Sequence, residues 1–354
     1  MREQHRDKSH GTDPVQLENL FSTAGHRSTP PGKARPKPAA VLFLTFNRPD
    51  LFRKVLHAAS RAGPRAVYVS IDGPRATHVN DGILCNEVRK TAEEITWATE
   101  VHLKAEQKNL GCGPAVAAAI SWALEQAGEV IILEDDCLPD PSFLLLCDEL
   151  LERYRDDARV MQISGTNWGA SAERYDGCSY AFNSFAPIWG WATWQRAWRL
   201  YEYDLASWPR IKSNGLAEGM ALSTRFRRLL ARDWDLVRIG KGTWDHQWQY
   251  SVLRHHGLSI SPARNLVVNL GFRADGTQLK GTDHVFSNLP LEQMPFPLQH
   301  PAEVARSASV ESVFERIYWQ KLGGTAQLYR QLVRNDKLRK VLSSLIRTFM
   351  PRPT

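Results

Sequence analysis

Three consecutive carboxylates, Glu134-Asp135-Asp136, follow the apolar run Glu129-Val130-Ile131-Ile132-Leu133. Such a run reads as a buried strand, so the triplet stands where a strand ends and the chain turns. Alternation and the turn send the three side chains in different directions. One of them could hold a hard cation through oxygen while a neighbour accepts from ligand hydroxyls. Carboxylates combined with phosphate oxygens are what Mg2+ or Mn2+ prefers. Asp136 is the expected direct ligand, and Glu134 and Asp135 are expected to make outer or hydroxyl contacts. The cation would offset negative charge on a departing phosphate. A solvated acidic turn fits the triplet about as well, and acidic strand ends also serve phosphatases, nucleases and kinases. By itself the pattern points to metal and phosphate, not to one substrate.

The elements that must position this turn are legible upstream. Val41 to Phe46 is a continuous apolar run, as in a strand buried on both faces. Asn47-Arg48-Pro49-Asp50 then offers a cap, a proline for the first helical position and an acidic first turn, with Leu51, Val55, Leu56 and Ala59 at helical spacing. Ala66 to Ile71 is a second strand, closed by Asp72-Gly73-Pro74. Residues 83–98 read as a helix, Glu100 to Leu103 as a short strand, and Gly111 opens an Ala-rich helix through Ala127. Beyond the triplet, Phe143 to Tyr154 is a helix and Val160 to Ser164 a fifth strand. This repeated strand–helix order predicts an α/β fold, a parallel sheet with helices on both faces. Ligands of such sheets sit beyond the carboxyl ends of the strands. Asn47-Arg48, Asp72-Gly73 and the acidic triplet all fall at those ends. No Gly-x-Gly-x-x-Gly follows the first strand and no Walker-type loop occurs, so dinucleotide and P-loop readings lack support.

Composition changes from Gly165 onward. Nine of the twelve tryptophans lie between Trp168 and Trp248, which predicts a second half built on the sheet with an aromatic core. Asn183 to Gly190 reads as a loop; Trp191 to Tyr201, Gly215 to Asp233, 243–256, 309–322 and 325–349 read as helices. Thr243 is placed to cap the third of these, with Asp245 in its first turn. The expected organisation is a disordered tail over 1–38, a first half over 39–165, a second over 166–300 and basic C-terminal helices over 301–354. Net charge is +7, yet residues 39–305 carry 28 basic and 31 acidic residues, so the basic balance belongs to the ends. A nucleic-acid binder would put that charge on its folded core, so nucleic acid is not an expected partner. The five cysteines are odd in number and include no CxxC pair, which disfavours a disulfide framework or a structural zinc site. With no long apolar run and a polar start, the expected location is the cytoplasm.

Taken together, these segments resemble the metal-dependent nucleotide-sugar transferases of the GT-A fold, and most of all the branch of N-acetylglucosaminyltransferase I and its bacterial relatives. Leu44-Thr45-Phe46-Asn47-Arg48-Pro49 is similar to the opening strand and Asn-Arg turn, where the arginine meets the nucleotide. Val69-Ser70-Ile71-Asp72-Gly73 is similar to the second strand, with Asp72 in the position that reads the uracil edge. Ile131-Ile132-Leu133-Glu134-Asp135-Asp136 matches the metal motif, with Asp136 as ligand. Trp189-Gly190-Trp191, Trp194, Trp198 and Trp208-Pro209 resemble the tryptophan-rich segment that follows. Trp244-Asp245-His246-Gln247-Trp248 resembles a Trp-Asp-Asp-Trp segment whose first Asp is the catalytic base; His246 departs from it and leaves Asp245 as the carboxylate. Asn265 to Gly271 and Gly281-Thr282-Asp283-His284 resemble the loop region over the donor diphosphate.

The resemblance covers roughly residues 40–290 and implies a GT-A-like, mixed and mostly parallel sheet. It implies inverting transfer of a sugar from a nucleotide-sugar, a UDP-sugar first, to the hydroxyl of a glycan, lipid-linked, protein or small-molecule acceptor. Mn2+ or Mg2+ would be the cofactor, with His284 a further candidate near the metal. Asn47, Arg48, Asp72, Glu134 and Asp135 would bind the donor. Trp191 and Trp244, beside the expected reacting groups, could offer an aromatic face to the acceptor's sugar ring. The basic, amphipathic C-terminal helices could touch the inner face of a membrane. Two other readings stay open: a metal-dependent nucleotidyltransferase or phosphate-ester hydrolase, and a non-catalytic carbohydrate-binding or scaffold protein.

Overall fold

Both faces of the first strand are covered, which is why its sequence does not alternate. The structure, a computed structural model, describes residues 37–63, 65–213, 223–240, 243–271 and 289–321. Strand β1 (Ala40–Thr45) is buried at every position. Val41 and Phe43 enter one core with Phe52, Val55 and Phe143; Ala40, Leu42 and Leu44 enter the opposite one with Val116, Ile120 and Trp191. Period-two geometry thus deals one apolar run into two cores.

Along the chain follow α1 (Pro49–Ser60), β2 (Ala66–Ile71), α2 (Asp81–Glu93), β3 (Glu100–Ala105), α3 (Cys112–Ala127), β4 (Glu129–Glu134), β5 (Cys137–Pro139), α4 (Pro141–Arg153) and β6 (Val160–Ser164). The second half supplies β7 (Tyr180–Asn183), β8 (Trp191–Trp194), α5 (Gln195–Trp198), α6 (Trp208–Ser213), α7 (Thr224–Arg238), α8 (Trp244–Arg254), β9 (Leu258–Pro262), β10 (Val267–Asn269) and α9 (Ala308–Lys321). One sheet runs in the order β3-β2-β1-β4-β8-β6-β9-β7, and β10 pairs with β5 in a separate ribbon. Strands β1, β2, β3 and β4 pair in parallel, as do β6 and β9. The β4–β8, β6–β8 and β7–β9 pairs are antiparallel. The result is the mixed, mostly parallel α/β sheet expected.

Several local expectations need correction. Trp191 to Tyr201 is not a continuous helix: Trp191–Trp194 is a strand between β4 and β6, and only Gln195–Trp198 is helical. Trp191 goes to one core and Trp194 to the other, and this sorting depends on partners far away in sequence. The Trp198 and Tyr201 rings stack, centroids 4.2 Å apart. Arg48, not Asn47, is the cap residue of α1, and no side chain caps it. Helix α2 stops at Glu93, short of 98. Residues 1–36 of the tail, residues 215–222 of the expected Gly215 helix and the helix at 325–349 lie outside the described residues. Among the described residues, no helix is long and apolar enough to cross a membrane.

A third core joins the last helices to the sheet's far half. It contains Tyr175, Phe185, Trp208, Phe226, Trp234, Tyr250 and Phe314. Helix α8 lies between two cores: Trp244, Trp248 and Val252 face the β1–β4 side, and Tyr250 and Leu253 face this one. That double burial fixes the helix whose first turn carries Asp245.

Candidate functional site

Strand β4 delivers the acidic turn. Alternation places Glu134 after Val130 and Ile132, on the face shared with Val116 of α3 and Trp244 of α8. The Asp135 amide donates to the Leu44 carbonyl at 3.0 Å, extending the β1 ladder by one step. At Asp136 the chain turns into β5, where Asn269 lies opposite Cys137. The Leu270 amide donates to the Asp136 carbonyl at 2.7 Å, and Asn269 Nδ2 donates to Asp136 Oδ1 at 3.4 Å. Gly271 lies against Asp136, and a Cβ there would push the Asp136 carboxylate aside. Neither Asn269 nor Gly271 is marked by local sequence as a partner of Asp136; only the ribbon pairing brings them there.

Arg48 reaches back to the triplet. Its Nη1 donates to Asp136 Oδ2 at 2.8 Å and to Asp135 Oδ1 at 3.3 Å. Burial pushes the Asp135 carboxyl up to about 7, and repulsion from Asp136 adds to this; Arg48 and the Phe46 amide pull it back. Burial likewise raises Glu134 well above the ordinary carboxylate range, with Asp136, Asp135 and Asp245 adding repulsion. Asp136 is raised by burial, against the pull of Arg48 and of the Cys137 thiol. Burial is the leading cause at all three.

Asp245 belongs to this electrostatic group, since its charge acts on Glu134 from the first turn of α8. Thr243 occupies the cap position, but its hydroxyl donates to the Asp245 carboxylate and accepts no bond from a helix amide. Cys112, at the start of α3, feels Glu134, Asp245 and Asp72 together. The acidic turn, the α3 start and the α8 start therefore share one region.

Two expected donor contacts are already engaged elsewhere. Asp72 accepts from the amides of Gly73 at 2.8 Å, Leu110 at 2.8 Å and Gly111 at 3.2 Å, and from Asn109 Nδ2 at 2.8 Å. Those bonds use about four lone-pair sites, all that a carboxylate has. A nucleobase would have to share or displace them, so Asp72 serves here to pin the β3–α3 loop. Gly73 permits this closeness, because a Cβ would strike the Lys108 backbone. Asn47 donates to Asp81 Oδ1 at 2.8 Å, and Asp81 also holds Arg75.

The expected aromatic wall needs correction. Trp191 and Trp244 are 0% and 1% exposed, stacked on each other at 5.8 Å between centroids. Trp248 and Trp198 close round them, so neither ring presents a face to a ligand. Of the nine tryptophans in this stretch, only Trp168 and Trp189 are not fully buried, which makes the group chiefly core. Tyr203, whose hydroxyl lies against Gly113 at the start of α3, is an open aromatic among the described residues, 43% exposed. Its carbonyl accepts from Gln247 Nε2 at 3.1 Å, two residues beyond Asp245. His284 and the segment Gly281 to His284 lie outside the described residues.

Among the described residues, no group of three His, Cys, Asp or Glu side chains converges on a cation position. The donor set fits a cation held by Asp136 together with phosphate oxygens of a bound nucleotide, the usual arrangement for Mg2+-type sites. The side-chain-free approach of Gly271 and the surplus of buried carboxylate both suit it.

The raised Asp135 has a consequence for stability. Between about 4, the ordinary carboxylate value, and about 7 the folded protein keeps a proton that the unfolded chain has released. Stability from this group therefore falls as pH rises through that window. Asp135→Asn should melt at a higher temperature than wild type at pH 8, by a margin that narrows towards pH 5. Equal melting temperatures at both pH values would show that the carboxylate carries no such burden.

No family model matches the chain, and no curated protein does. Among solved structures it is similar to the mannosyltransferase PcManGT from Pyrobaculum calidifontis in complex with GDP-Man and Mn2+. The identity is 16%, over 74% of this chain and 64% of that one, with a TM-score of 0.38. It is also similar to S. aureus TarS 1-349, at 12% identity over 66% of this chain and 60% of that one, again with a TM-score of 0.38. The chain thus covers less than two thirds of either structure, and neither points to the N-acetylglucosaminyltransferase I branch in particular. Likeness at this depth decides nothing about chemistry, which rests on the chain's own residues.

Proposed function

We propose that this chain is a glycosyltransferase that moves a sugar from a nucleoside-diphosphate donor to an acceptor hydroxyl by direct displacement. The observation behind it is the crowd of carboxylates at the end of β4, paired with Arg48, with Asp245 acting on it electrostatically from a separate helix. A divalent cation beside Asp136 would offset charge on the leaving diphosphate. Asp245 takes the proton of the acceptor hydroxyl as its oxygen bonds to the anomeric carbon and the bond to the diphosphate breaks. Asp245 needs no covalent role; its value lies in a fixed position at a helix start braced by Thr243. Arg48 and the Glu134-Asp135 pair contribute to donor binding. Tyr203 replaces Trp191 and Trp244 as the aromatic surface for the acceptor.

UDP is the first nucleotide to test, because the resemblance favours it, and GDP-mannose belongs in the same screen as a second nucleotide class. In titrations with Mn2+ present, UDP should bind wild type and lose most of its affinity for Asp136→Ala. Metal-independent binding, equal in both proteins, would overturn the proposal. Analysis of products separates it from nucleotidyl transfer: the donor should release nucleoside diphosphate and not pyrophosphate.

A further inference from the structure

The contact between Arg48 and the acidic turn bears on how the site fills. Arg48 leaves the end of β1 at the cap of α1, and its side chain is 24% exposed, against 9% and 11% for Asp135 and Asp136. The guanidinium touches the same Asp136 oxygen, Oδ2, that lies against Gly271. Glu134 adds a further negative charge acting on Arg48. Arg48 is therefore a counter-ion to two buried carboxylates, with a third acting on it from nearby.

A divalent cation on Asp136 would meet that positive charge at close range, and like charges this near repel strongly in a partly buried site. The conflict is relieved when an anion arrives with the cation. A diphosphate offers Arg48 oxygens suited to its planar fork, beside a helix start that itself favours negative charge. We propose that Arg48 is an exchangeable counter-ion, held by Asp135 and Asp136 until a nucleoside diphosphate takes it over, and that this exchange makes cation and nucleotide bind cooperatively. The inference rests on the donor reading above. By reciprocity, whatever Arg48 does to the cation's affinity it returns to the nucleotide's.

The test is Mn2+ binding to the full chain, followed by calorimetry or by the free-ion electron paramagnetic resonance signal at pH 8, with and without UDP. Arg48→Gln should bind Mn2+ alone roughly tenfold more tightly than wild type, within the usual range of coupling between sites. It should also show a smaller gain on adding UDP. Arg48→Lys, which keeps the charge, should stay near wild type. The exchange is overturned if folded Arg48→Gln binds Mn2+ alone no more tightly than wild type, or if Arg48→Lys rises as far as Arg48→Gln. Asp136→Ala distinguishes the two levels: Mn2+ and UDP binding unchanged in that variant would sink the donor site itself, and not only the exchange.

Discussion

Asp245→Asn should turn over roughly 10²–10⁴ times more slowly than wild type, the usual scale of general-base catalysis. The substitution keeps the side chain's shape and an oxygen that can still accept from the Thr243 hydroxyl. It leaves Trp244 and Trp248, which anchor the helix in its core, untouched. UDP and Mn2+ should therefore bind almost as before, and the loss should fall on kcat. Steady-state rates with the best donor from the screen, beside binding titrations, separate the two effects. A variant with near-normal kcat would remove Asp245 from the mechanism.

The second large effect lies at the opposite ends of the strands and concerns stability. Arg65 is buried ahead of β2, its side chain 0% exposed, and pairs with Asp148 on α4 at 2.9 Å. Its Nη2 donates to the other Asp148 oxygen at 3.3 Å, and its Nη1 to the Ala39 carbonyl at 3.2 Å. The Ala39 amide donates to Asp148 at 2.8 Å, so one carboxylate ties the start of β1 and the approach to β2 onto a helix. Asp148→Ala would strand a guanidinium whose Nε already lacks a partner. Breaking a buried pair in this way costs about 3–5 kcal/mol. Denaturant unfolding should show that loss, and the double variant Arg65→Met, Asp148→Leu should recover much of it. A single variant as stable as wild type would mean that the pair contributes nothing net.

Strands β1, β2 and β4 were legible because each is a continuous apolar run, and β1 and β2 lead into helices. Such signals are local, and β2 and β6 match their expected bounds. The later strands were not, because β7, β8 and β9 owe their state to antiparallel or distant partners. Trp191–Trp194 is the plainest case, since four residues bear almost no periodicity and the aromatic spacing beyond them is genuinely helical. At the candidate site, sequence marked Asp136 and Arg48 as candidate groups but not their contact, which needs the ends of β1 and β4 side by side. It could not show that Asp72 is saturated by its own loop, because the donors lie at Asn109 to Gly111. Nor did it foresee Arg65 and Asp148, each of which reads as an ordinary charge near a turn or on a helix.

The rings of Trp191, Trp198, Trp244 and Trp248 lie close enough to couple their electronic transitions, with neighbouring centroids 5.2 to 6.1 Å apart. Indoles fixed in such chiral proximity give a strong near-ultraviolet circular dichroism band, which vanishes when packing loosens even if helices persist. Because Trp244 immediately precedes Asp245, this band is an optical gauge of the ground on which the proposed base stands. It separates a variant that has lost its chemistry from one that has lost its footing.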